Sequence, residues 1–231
     1  MLDTSDATKL FAFQASQNLR ESVESVLRAY GGKTLPTTPQ APVIVDFAQR
    51  YSDEIVDALI LNLVKGADAD SAAPKVLETV ANLIKSTVHA LIRQVLGKLN
   101  NAELAPVAEY IAAHRTEITR DGVTRDYINF QLSDADYELL HGTWSRVAAG
   151  QGDKQEMIRA THRFSELAIE AFYEDAAKAI KLGFIARNMF NMGHVAISKG
   201  SRTAISRLIP SLKPQELKDF ASYFRGMLKV V

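Results

Sequence analysis

Apolar residues recur along most of the chain at the spacing of an amphipathic helix. Between Thr4 and Tyr30 the stripe runs through Ala12, Ala15, Leu19, Val23, Val26 and Tyr30. It predicts one helix roughly 40 Å long at 1.5 Å per residue, capped by Asp3, Thr4 or Ser5 and stopped by Gly31-Gly32. Residues 33–42, with Pro36, Pro39 and Pro42 among three threonines, read as an extended, semi-rigid linker. Further helices are predicted from Val43 to Lys65, ending at Gly66, from Pro74 to Leu99, and from about Ala102 to Ile118. The third has a wide apolar arc and is expected to be largely buried.

Helical spacing lapses over residues 119–133. Asp121-Gly122 is a turn signal, and Ile128, Phe130 and Leu132 alternate with Asn129 and Gln131, as in a strand. Ser133 or Asp134 then opens a helix to Ala149, and a long helix follows from Asp153 to Leu182. Gly183, Gly200 and Pro210 are expected to divide the remainder into three helices, the last from Pro214 to about Lys229. The predicted fold is all-α, a multi-helix bundle of seven to nine helices with a short β-hairpin near 118–132 as its one β element. Residues 1–32 form a helical arm suited to docking on a second copy, 33–42 the linker, and 43–231 the helical body.

Composition bounds the chemistry. The chain has 231 residues, 47% of them apolar, and no cysteine, which excludes disulfides, thiolate metal sites and a disordered chain. The most apolar window, Ile55 to Val64, contains Asp57 and Asn62 and is too short for a bilayer span of about 20 residues. No basic segment followed by an apolar run opens the chain, so a soluble, cytoplasmic protein is expected. The formal net charge is zero, with 27 basic and 27 acidic residues. That total conceals a division: residues 176–231 hold ten bases and two acids, +8, against −8 for residues 1–175. A uniformly basic nucleic-acid binder is excluded, whereas a bipolar molecule is not.

Candidate chemistry is sparse. Glu138-Leu139-Leu140-His141 has the Glu-x-x-His spacing of carboxylate-bridged metal centres, but the chain has no second copy, so it reads as a surface pair and no metal is expected. No phosphate loop, dinucleotide fingerprint or nucleophile elbow occurs, and no cofactor is expected. The helix from Phe184 to Lys199 is apolar nearly all round and expected to be mostly buried. Its one polar strip is Arg187, Asn191, His194 and Ser198. Facing outward, the strip is the wet edge of a packed helix. Facing inward, it lines a ligand pocket beside the 153–182 helix, with Arg187 and His194 as polar anchors.

The basic part supplies candidate anion-binding residues: Lys199, Arg202, Arg207, Lys218, Arg225 and Lys229, interleaved with Phe220, Tyr223 and Phe224. The leading expectation is a non-enzymatic, oligomeric helical binding or assembly protein. Its basic C-terminal helices would meet nucleic acid or the acidic face of another copy. The alternatives are a small apolar-ligand binder or enzyme using the Arg187 strip, and attachment to a membrane surface through the last helix.

Overall fold

The computed structural model describes residues 7–64, 73–180 and 182–231. Among these it has eight helices and one four-stranded antiparallel sheet of order β2-β3-β1-β4. The strands are β1 (Lys9–Gln14), β2 (Arg115–Arg120), β3 (Val123–Gln131) and β4 (Leu228–Val230). The helices are α1 (Gln17–Tyr30), α2 (Ala41–Leu59), α3 (Ala73–Leu96), α4 (Asn101–Ala113) and α5 (Asp134–Ala148). They continue with α6 (Lys154–Ile169), α7 (Phe184–Ser211) and α8 (Pro214–Met227). Beyond Ile169, α6 passes through a π turn (Glu170–Glu174) into a last α turn (Asp175–Lys178).

Local signals account for most boundaries. Ser16, Ser133 and Asp153 cap α1, α5 and α6 through side-chain oxygens that accept backbone N–H groups. Asn100 and Glu103 form a reciprocal capping box at α4. Asp121 and Gly122, with φ of 52° and 72°, make the two-residue turn that joins β2 to β3. The expected hairpin is therefore present, starting at Arg115 rather than 118, and the predicted helix to Ile118 ends at Ala113.

Two other expectations are corrected. The helix foreseen from Thr4 to Tyr30 is a strand followed by a shorter helix, and the caps proposed at its start lie outside the described residues, as does Gly66. Phe11 and Phe13 of β1 sit opposite Phe130 and Ile128 of β3. They join the main core, where Phe11 lies 4.5 Å from Phe164, ring centre to ring centre. Leu19, Val23 and Val26 of the foreseen docking stripe are buried within this chain. Secondly, α7 runs unbroken through Gly200 and Pro210. Pro210 removes one N–H, and with it one intrahelical bond, a single residue before the helix ends at Ser211.

The sheet and α5, α6 and α8 share an aromatic core. Trp144 and Phe224 stack at 5.2 Å, and Phe164 lies 5.0 Å from Phe224. The last helix therefore turns its apolar residues inward: Phe220, Phe224 and Met227 are buried, and Tyr223 donates to the Ala58 carbonyl at 2.7 Å. They leave no apolar face on α8 for a membrane. On the other side, α3 packs against α2 and α7, and α7 against α6. No helix among the described residues is long and apolar enough to cross a membrane.

Candidate functional site

The helices α2, α3, α6 and α7 do not close completely on one another. Between them lie two adjoining apolar lobes of about 160 and 140 Å³. Leu77, Ala168, Ile197 and Ala204 wall the larger lobe, and Phe224 of α8 closes it. Phe47, Leu91, Val95 and Ala176 wall the smaller. Ser52, Ile55, Val88, Phe172 and Tyr173 belong to both, forming the boundary they share.

The shared boundary includes the π turn. There the Asp175 N–H reaches back five residues to the Glu170 carbonyl, and the widened turn sets successive aromatic residues, Phe172 and Tyr173, at the junction. Two bonds hold it: Tyr110 donates to the Ala171 carbonyl at 2.9 Å, and Tyr173 to the Phe190 carbonyl at 3.0 Å. Tyr173 also stacks on Phe190, with ring centres 4.2 Å apart.

Among the described residues, hydroxyls are the only side-chain polar groups in these walls. Two of them are orphans. Thr161, in the larger lobe, and Tyr51, in the smaller, are buried with hydroxyls that have no hydrogen-bond partner among the described residues. Burial pushes the Tyr51 phenol well above its ordinary pKa, so it stays a donor at any physiological pH. An unmade bond at such depth costs about 1–3 kcal/mol, and a bound molecule with a suitable oxygen removes that cost.

The predicted polar strip lies elsewhere. None of Arg187, Asn191, His194 and Ser198 belongs to the walls of either lobe. His194 and Ser198 line a groove on the outside of the α6–α7 seam. His194 Nε2 meets Glu174 at 2.8 Å there, while Arg187 and Asn191 are exposed. The same seam holds His162 Nε2 against Ser206 at 3.3 Å and Arg202 against Glu166 at 2.9 Å.

The six predicted anion-binding residues are also dispersed. Lys199 and Arg207 lie together on α7, facing α3, whereas Arg202 turns to Glu166. Lys218 lays its stem over Gly150, Arg225 is exposed on α8, and Lys229, in β4, donates to the Gly226 carbonyl. As for the Glu-x-x-His pair, Glu138 bonds Lys9 at 3.3 Å and His141 stacks on Tyr137. No metal-holding cluster of carboxylates and imidazoles occurs among the described residues.

The alternative pocket expected beside the 153–182 helix was anchored on Arg187 and His194, and nothing in the sequence singled out Tyr51 and Thr161. Each sits on the apolar stripe of its helix, where a hydroxyl reads as core. Comparison of the chain with protein-family models, curated proteins and solved structures finds no match.

Proposed function

We propose that this protein binds a slender, uncharged apolar molecule in the paired lobes between α2, α3, α6 and α7. The observation that carries this reading is the apolar cavity itself, with one orphan hydroxyl in each lobe. Apolar cavities near 150 Å³ stay dry and accept small apolar guests. Together the two lobes approach about 300 Å³, the low end of ligand pockets. The guest is uncharged because none of the described side chains in the walls could neutralise a buried ion. Tyr51 and Thr161 suit an oxygen at either end of an aliphatic or polyene chain. Binding is proposed rather than turnover, since among the described residues the walls offer hydroxyls without an imidazole or carboxylate to act as a base. The scattered C-terminal cations do not form the continuous stripe that tracks a phosphate backbone, which favours the cavity over nucleic acid.

The test combines native mass spectrometry of the purified protein with titration by N-phenyl-1-naphthylamine, an uncharged apolar dye. Ala168→Leu and Ala176→Leu place extra methyl groups in the larger and smaller lobes. Each is expected to weaken dye binding about tenfold or more while leaving thermal stability unchanged or raised, because free space is filled. Undiminished dye binding by both variants would refute the cavity as the site.

A further inference from the structure

The helix α7 was expected to be buried, yet its outer face carries large apolar side chains in water. Phe184, Ile185, Met192 and Val195 are 80%, 72%, 67% and 63% exposed, and Leu83 of α3, beside them, is 45% exposed. Ile185, Met192, Ala196, Lys199, Thr203 and Arg207 fall on one stripe at helical spacing. Its first half is thus apolar and its second half basic. Across the crevice α3 contributes Lys75, Val76 and Leu83. Among the described residues no acidic side chain lines this crevice, and none of Lys75, Lys199 and Arg207 has an ion-pair partner.

We infer that this α3–α7 face docks on an anionic lipid surface, with Phe184, Ile185 and Met192 entering the acyl boundary and Lys75, Lys199 and Arg207 meeting the headgroups. Exposed clusters of large apolar residues mark interaction sites on soluble proteins. A helix face that combines them with unpaired cations has the character of an interfacial helix. Charge decides against a second copy. A two-fold contact would bury Lys75, Lys199 and Arg207 of both copies on a face where no described carboxylate could pair them. A head-to-tail contact needs an apolar counter-patch, but the other large exposed apolar residues, such as Leu35, Val43, Val123 and Leu139, sit on separate elements. The inference stands apart from the cavity reading, because none of the inserted side chains lines either lobe.

The experiment is co-flotation with vesicles of phosphatidylcholine alone and of phosphatidylcholine with phosphatidylglycerol. Binding is expected to the anionic vesicles only, and to fall as salt is raised. Phe184→Ser with Ile185→Ser, and separately Lys199→Glu with Arg207→Glu, should each reduce partition about tenfold or more. These side chains are exposed, so circular dichroism and the thermal midpoint should not change. The inference is overturned by absence of binding to anionic vesicles at low salt, by equal binding to neutral vesicles, or by binding that survives both double substitutions. It is equally overturned if sedimentation equilibrium finds a dimer that either pair dissociates, which would assign the face to a second copy. Dye binding in vesicle-free solution should persist in both variants, so the cavity reading is scored independently.

Discussion

At the residue scale, two glycines of one helix have opposite expectations. Gly193 lies where α7 crosses α3 and α6: a Cβ there would clash with the Tyr173 hydroxyl and stand 3.0 Å from Leu91 Cδ1. Tyr173 cannot withdraw without giving up its bond to Phe190 and the ring stack beneath it. Gly193→Ala is therefore expected to destabilise by about 1–3 kcal/mol, although alanine is the better helix former. At Gly200 the nearest atom to a Cβ is Leu83 Cδ2 at 3.7 Å, an ordinary contact. Gly200→Ala should gain about 0.5–1 kcal/mol. Denaturant midpoints of the two variants check both signs. A third residue sets a pH dependence. Burial, and then the charge of Arg202, hold the His162 imidazole below its usual range, with Glu166 partly opposing them. The unfolded chain then binds the proton more readily, so this contribution to stability is complete above about pH 6.5 and is lost as pH falls through the folded value. Unfolding midpoints at pH 7.5 and 5.5 should differ less in His162→Gln than in the unsubstituted protein.

At the element scale, β1 shows what local pattern conceals. Leu10-Phe11-Ala12-Phe13 offers apolar residues at both helical and strand spacing, and the stripe through Ala15 and Leu19 extends the helical reading smoothly. What decides for a strand is Phe130 and Ile128 on one side and Leu228 and Lys229 on the other, more than 100 residues away. Non-local pairing leaves no mark in a short window. The β2–β3 hairpin was legible because its instructions are adjacent: an Asp-Gly turn and alternating residues. Ser133 likewise announced α5. Gly200 and Pro210 misled because a helix packed along its length tolerates a glycine, and a proline near its end. The cavity was legible only as neighbouring helices, since orphan hydroxyls differ from satisfied ones in three dimensions alone. If β1 is the centre of the core, Phe11→Ala should cost about 3–5 kcal/mol. Phe184→Ala, equally aromatic but exposed, should fall within about 0.5 kcal/mol. Paired chemical denaturation distinguishes the two.

At the scale of the whole molecule, the −8 and +8 segments are divisions of sequence more than of space. Glu166 meets Arg202 along the α6–α7 seam and Asp175 meets Lys178 in the last turn of α6, so part of the opposition is spent inside the chain. Lys199 and Arg207, which have no ion-pair partner among the described residues, face α3, and their crevice shares Val80 and Ala204 with the larger lobe. The lipid-facing crevice and the cavity are thus separated by one layer of side chains. A guest dissolved in a bilayer under α3 and α7 has only that layer to pass, whereas a guest in water must first leave its carrier. The two readings together predict a kinetic asymmetry. Dye carried in anionic vesicles should transfer to the protein faster than dye carried in neutral ones. Phe184→Ser with Ile185→Ser should slow transfer from anionic vesicles about tenfold, in proportion to lost docking, while the dye's affinity in vesicle-free solution stays the same. Stopped-flow fluorescence measures the first quantity and equilibrium titration the second. Equal transfer rates from the two kinds of vesicle, with solution affinity intact, would mean that the cavity fills from another side.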